Sequence, residues 1–525
     1  MTALRAWAHT AKADLRARLR DRRLLMVVAA CVYLGHLVLT GQIELTLSGR
    51  TYRGVENAAW MGTILSLTAA FVLTFFGFYL VRGALARDRQ ARTAPLVATS
   101  PIRSVTFLLG KWTSGTLFLL LLAGSMAASL AVLFVLRGNG LPAPAPLLTP
   151  FFLFVVPTAT VVTALALAFE CLPGLNGTVG GVLYFIGAVA AITAPVFGPV
   201  PVDLMGMGVI HDSMTQSLLQ QYPEADLKTM FSFGYYRDAA EQLKTFRWDG
   251  VTLTADLLAR RAGLVLGSAV LVAGAALPFG RFDPSPAWWV QMGAGPASPE
   301  PDPSESPSEA SATVPAASPD ASLSDGIISS PSLGPLSSPR AFRPLRLFVA
   351  EGRRALRQRS WTWRLGALAL IGAGLWWPSS PGLLVVAWLW PMPLWSDLGV
   401  RETVARVEPL VATSLYPRAQ RVAAWAVGAT AALALGAGPI LLGGHWRALV
   451  GVLFVPALGL AAGRLSGTPR LFEVVYLVLW YVGLANQQAA LDYGGVAQAP
   501  PATLVGYSLA AVGLLAGTIL WNRFS

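Results

Sequence analysis

The chain has 525 residues, of which 54% are hydrophobic and only 13% charged, a balance that excludes an ordinary soluble domain. Its formal charge is +12, yet the arginines gather at the ends of long apolar runs, as the positive-inside bias requires, so a nucleic-acid partner is not expected. The two cysteines, Cys31 and Cys171, sit in or beside apolar runs and read as small buried hydrophobes, neither a disulfide nor a metal site.

Taken in chain order, the first predicted element is a basic amphipathic helix over 3–22, whose Leu, Ala and Trp lie on a membrane while its arginines meet lipid phosphates. "LLMVVAACVYLGHLVL" follows from Leu24. It is long for a signal-peptide core and has no clear cleavage site behind it, so it reads as a first transmembrane helix. Uncharged runs such as "TILSLTAAFVLTFFGFYLV" are about long enough to cross ~30 Å of hydrocarbon as helices. Backbone polar groups inside lipid must be paired within their own segment, which makes these runs helical. Spans are predicted near 24–41, 58–81, 106–136, 147–169, 178–198 and 262–280. Between the last two, 201–259 is polar, with Met214, Leu218, Leu219 and Tyr222 at helical spacing, and is predicted as amphipathic helices on the outer face.

Residues 281–342 are rich in Pro and Ser, acidic over most of their length, and poor in apolar surface, which predicts a disordered linker. At ~45 residues its core reaches about 35–40 Å, enough to let two bundles sit side by side. A second basic helix over 345–360 then opens a second set of spans near 365–378, 382–397, 420–442, 447–463, 471–486 and 502–521. The expected fold is therefore an all-α polytopic membrane protein of about 12 transmembrane helices in two tandem six-helix units, 1–280 and 343–525. Counting Lys and Arg in the loops puts both termini, the linker and the basic loops in the cytoplasm, with the chain in a plasma or inner membrane.

The two units share a phrase. "PLVATS" occurs at Pro95–Ser100 and again at Pro409–Ser414, inside basic loops over 84–104 and 399–418. The match continues upstream at the same offset: Arg87 with Arg401, Asp88 with Glu402, Ala91 with Ala405, Arg92 with Arg406. An internal duplication explains this better than compositional chance. In the first copy Thr93 is predicted to cap a short helix opening at Pro95, and Ser100–Pro101 to start the third span. In the second, Glu408–Pro409 opens the turn and the closing proline is delayed to Pro417.

An Arg/acid-rich run, then Thr, an L-x-x-T-[ST]-P element, a basic residue and "LLGK" (Leu108–Lys111) resembles the coupling-helix loop of ATP-binding-cassette (ABC) permeases of the type-2, export-associated class. The resemblance covers nearly the whole chain except the linker. It implies six-span units, each opening with an elbow helix and carrying this loop between spans two and three. It also implies two separate cytoplasmic ATPase subunits that bind ATP and Mg. Carried across, Arg87, Asp88, Arg92, Thr93, Leu96, Ser100 and Pro101 would face one ATPase. Arg401, Glu402, Arg406, Leu410 and Ser414 would face the other. The second copy departs from the pattern, with Trp425 where the first has Lys111.

No cofactor is expected in this chain itself: its Gly110–Lys111 pair lacks the glycines of a P-loop and is followed by Trp112. No nucleophile elbow, paired carboxylates or zinc motif appears, so the chain is not expected to be an enzyme. His211, Asp212, Glu224 and Asp226 could hold a metal but suit a solvated polar face better. Glu170 is expected to stay hydrated at the end of the fourth span. An ATP-independent secondary transporter or membrane scaffold is the competing reading. The transported substrate is not encoded in any motif.

Overall fold

The computed structural model describes residues 3–21, 24–48, 51–136, 143–172, 174–197, 202–225, 232–235, 243–280, 282, 344–377, 380–405, 407–414, 416–437, 446–485, 488–495 and 499–520. The expected linker, apart from Phe282, and Arg406 lie outside the described residues.

In the first half, α1 (Ala3–Leu19) precedes α2 (Leu24–Leu39), and the two bend by 82° between them. Asn57 starts α3 (Ala58–Val72) by accepting a hydrogen bond from the Trp60 N–H at 2.8 Å, which satisfies one of the orphan donors of a first turn. The helix runs on through a π turn (Leu73–Gly77) into α4 (Phe78–Val81). The basic loop folds as α5 (Ala84–Gln90) and α6 (Ala94–Thr99), after which α7 (Ser104–Leu136) crosses back. The next span joins α8 (Pro144–Pro150), a π turn (Phe151–Val155) and α9 (Val156–Cys171), and α10 (Thr178–Phe197) follows. α11 (Met207–Gln221) and α12 (Ala255–Ala275) complete this half.

The second half comprises α13 (Pro344–Arg357), α14 (Trp361–Trp376), α15 (Pro381–Leu389) and α16 (Met392–Asp397). Its basic loop holds α17 (Arg401–Val404) and α18 (Glu408–Ala412), followed by α19 (Pro417–Ala431) and a π turn (Ala432–Ala437). α20 (Leu449–Ser466), α21 (Arg470–Leu479) with its π turn (Trp480–Ala485), and α22 (Pro501–Leu520) close the chain.

Among the described residues seven helices are long and apolar enough to cross a membrane, or eight if α1 and α2 make one bent span. These helices embed the chain in a membrane. At the other expected span positions the helices are shorter than 18 residues or change winding: α14 has 16 residues, and α15 and α16 are separated at Trp390–Pro391.

Two features correct the sequence expectation. The chain is not wholly helical: β1 (Ile43–Thr46) pairs antiparallel with β3 (Ser232–Tyr235), and β2 (Tyr52–Gly54) pairs parallel with β4 (Lys244–Phe246). Consequently 201–259 carries the helix α11, then strands, and at its end the first turn of α12. α11 buries Met207, Ile210, Met214 and Leu218 at helical spacing, while Leu219 lies towards solvent. Second, the third span begins at Ser104, not at Ser100–Pro101, which form the turn before it.

The core is aromatic. Phe78 stacks on Tyr184 with ring centroids 3.7 Å apart, and the Tyr184 hydroxyl donates to the Thr74 carbonyl at 2.7 Å. Trp388, Trp395, Tyr476 and Tyr493 fill the second half, with Tyr476 donating to the Trp388 carbonyl at 2.6 Å. Each ring contributes a large apolar area, and Tyr184, Trp395 and Tyr476 also bring their polar tips to a carbonyl, the condition for burial away from water.

Candidate coupling loops and their supports

The two PLVATS loops share a pattern of hydrogen bonds among their described residues. Ala91 N–H donates to Arg87 C=O at 2.8 Å, and Ala405 to Arg401 at 3.0 Å. Thr93 N–H reaches Asp88 C=O at 3.0 Å, and Val407 reaches Glu402 at the same distance. Thr99 and Thr413 hydroxyls return to the Pro95 and Pro409 carbonyls at 3.0 and 3.1 Å. The Ser100 and Ser414 hydroxyls donate to Val97 and Val411 carbonyls at 2.8 and 2.7 Å. Such local bonds from Ser and Thr end a helix by taking its last free carbonyls. At the tip Leu96 and Leu410 are each 71% exposed.

The expected partner-facing residues divide into two groups. Arg92, Thr93, Leu96 and Pro101 are exposed, Arg92 in the left-handed region at φ 57°. Ser100 and Ser414 are half-buried by their own turns. Thr93 stands at the start of α6, but its hydroxyl donates back to the Asp88 carbonyl at 3.1 Å instead of capping the helix. Asp88 and Arg401, by contrast, turn inward onto their own chain. Arg87 is half-buried with a guanidinium nitrogen out of contact with solvent. Glu402 pairs with Arg464 of α20 at 3.3 Å.

These inward charges tie each loop to an elbow helix. In the first half Lys111 Nζ lies 2.7 Å from Asp14 Oδ1 on α1 and 2.9 Å from Asp88 Oδ1 on α5. Asp14 Oδ2 accepts from Arg18 Nε and from Ser114 Oγ, both at 2.7 Å. α1 lies along α7, where the Trp7 indole donates to Thr113 Oγ1 at 3.1 Å. Burial pushes the Asp14 carboxyl up, but Arg18 and Lys111 more than offset this and hold it well below the usual carboxylate range. Arg18 and Asp14 therefore face protein, whereas the sequence placed the arginines of this helix on lipid. In the second half Arg401 reaches Glu351 of α13 at 3.4 Å, and α13 lies along α19 as α1 does along α7.

Glu170 corrects a further expectation. Its carboxylate is taken up by backbone N–H groups of Gly83, Ala84 (3.1 Å) and Leu85 (2.9 Å), so it anchors the first turn of α5. A carboxylate at a helix start satisfies orphan donors and meets the positive end of the peptide dipoles. Sequence reasoning passed over Asp14 and Lys111 as a pair. The available signals were an acid in an otherwise basic helix, spaced i,i+4 from Arg18, and a lysine just inside an apolar run.

His211 Nδ1 lies 3.3 Å from Asp212 Oδ1, and Asp226 is outside the described residues. No protein-family profile, curated protein or solved structure matches the chain.

Proposed function

We propose that the chain is the membrane subunit of an ABC exporter: two fused six-helix permease units of about 12 spans, moved by two separate cytoplasmic ATPase subunits that bind ATP and Mg. The matched pair of PLVATS loops carries this reading, since each presents the same leucine to solvent from the same hydrogen-bonded turn. Further support comes from a repeated packing order. An elbow helix lies along the span after each loop (α1 on α7, α13 on α19), and the last helix of each half packs on the fourth expected span of that half (α12 on α9, α22 on α20). ATP-driven closure of the two motors would push both loops and tilt the spans joined to them. A ligand shifts such an equilibrium only by its differential affinity for the two states, so the motors must grip the loops differently when closed.

In this reading both loops and both termini are cytoplasmic, in a plasma or inner membrane, and the strand-bearing segments lie outside. The test is co-purification of an ATPase with the wild-type chain and with Leu96→Asp/Leu410→Asp. Loss of the ATPase from the variant, with the variant still folded and inserted, is the expected result. Equal recovery from both would remove the reading, and full transport activity with no ATPase present would favour an ATP-independent transporter.

A further inference from the structure

Four charged side chains meet at the seam between the two halves. Arg82 and Glu170 come from the first half, Arg470 and Glu473 from the second. Arg82 is 4% exposed and Glu473 2%. Arg82 Nη2 donates to the carbonyls of Leu175 and Gly177 at 2.6 and 2.7 Å. Its other nitrogen flanks Gly181: a Cβ at Gly181 would meet Arg82 Nη1 at 3.2 Å and Glu473 Oε2 at 3.3 Å. The guanidinium of one half and the carboxylate of the other thus close on one glycine. The second pair crosses the seam in the opposite sense. Glu170 holds the N–H groups of Gly83, Ala84 and Leu85, and the Arg470 guanidinium lies directly over Gly83, where a Cβ would come within 1.8 Å of Nη2. Only a residue without a side chain, at φ 86°, leaves room for that guanidinium. Beside them Thr178 and Ser396 hydroxyls touch across the seam at 3.3 Å.

Ionisable groups withdrawn from water are costly, and apolar residues would pack the same space more stably, so their presence at a membrane helix end marks a functional position. We propose that Arg82, Glu170, Arg470 and Glu473 form a charge latch that clasps the two halves beside the first PLVATS loop. The first loop starts at Gly83. Displacing α5 must strip the hydrogen bonds from Glu170 or carry α9 along, and either movement shifts Gly83 from beneath Arg470 of α21.

The described ion pairs of the second loop stay within its own half, although Ser396 at its root meets Thr178 of the first half. In the register that aligns the two motifs Asp397 stands where Gly83 does, and it pairs with Arg359 of its own half. Arg401–Glu351 and Glu402–Arg464 also stay within that half. The purpose of the latch rests on the permease reading; its existence does not.

The test uses the full chain in lipid vesicles, with Cys31→Ser and Cys171→Ser as background and Thr178→Cys/Ser396→Cys as a reporter across the seam. Disulfide formation under a mild oxidant is followed by mass spectrometry. Glu473→Gln and Glu170→Gln should each slow cross-linking about five-fold, the response of a seam that opens more often. Arg82→Glu should slow it as well, and Arg82→Glu/Glu473→Arg should restore it. Glu351→Gln, within the second half, should leave the rate unaltered. Rates within two-fold of the parent in all the seam variants, or an equal loss in Glu351→Gln, would overturn the latch. Because the chain is assayed alone, failure to find an ATPase partner would sink the permease reading without touching this outcome.

Discussion

The ammonium of Lys111 lies 2.7 Å from the carboxylate of Asp14, which joins the amino-terminal helix to the third span more than ninety residues away. Lys111 also reaches Asp88, so one lysine holds the elbow and the first PLVATS loop together. Position is therefore shared among three elements that any motion of the loop must move together.

Removing the acid is the more damaging change. Asp14→Ala leaves Arg18 and Lys111 as neighbouring buried cations and should cost about 3 kcal/mol, seen as a lower melting temperature of the detergent-solubilised protein. Lys111→Met should cost less, because Asp14 keeps Arg18 and Ser114. The reverse ranking would mean that Asp88, not Asp14, is the centre of the cluster.

A pH response follows from the same carboxylate, whose proton affinity is held down in the folded chain. A group with a depressed folded value stabilises above its ordinary range, about pH 4, and loses that contribution only as pH falls through the lower folded value. An Ala11→Cys probe, buried on the face of α1 towards α7, should therefore resist a pyridyl disulfide reagent from pH 7 down to about 4.5. The same probe in Asp14→Asn should react across that whole range. Protection lost near pH 6 in the parent would show that another group controls the elbow.

Gly399 and Gly463 bring two backbones into contact at the root of the second loop. A Cβ on Gly463 would lie 2.7 Å from Gly399 Cα, and one on Gly399 would lie 2.3 Å from the Leu460 carbonyl oxygen. Gly463→Val should destabilise by about 2–3 kcal/mol through overpacking against rigid backbone. Gly372→Ala, with open space around it, should be neutral or gain about 0.5–1 kcal/mol from helix propensity. Comparable losses from the two would argue against a packed root.

Asn57 serves two elements at once. Its Oδ1 caps α3 and its Nδ2 donates to the Trp248 carbonyl at 2.7 Å. Asn57→Ala should cost ~1–2 kcal/mol and make the strand-bearing segment after α11 easier to cleave with trypsin at Arg247. Unchanged cleavage would show that the strands hold this segment without the cap.

Much of this was legible in the sequence. Apolar run length and arginine placement foresaw both elbow helices and the positions of the long spans, because hydrophobic length and charge act through local sequence alone. The PLVATS repeat was visible as identity, and its two copies fold alike because Pro, Thr and Ser impose the same local bonds. The strands were not legible: three or four residues such as Tyr52–Gly54 carry no period, and their partners lie far along the chain. Nor was the inward turn of Asp88, Arg401 and Glu402. A charge in a basic loop looks solvated until a lysine or arginine from another helix arrives beside it.

The pairing of β2 with β4 constrains how the protein can be made. Residues 52–54 leave the ribosome behind the first span, whereas 244–246 emerge only after four more have been threaded into the bilayer. Translation must therefore leave these edges waiting, open to chaperones or to wrong mates, until the late strands arrive. Truncating the nascent polypeptide before Lys244 should yield inserted helices topped by an unfinished lid.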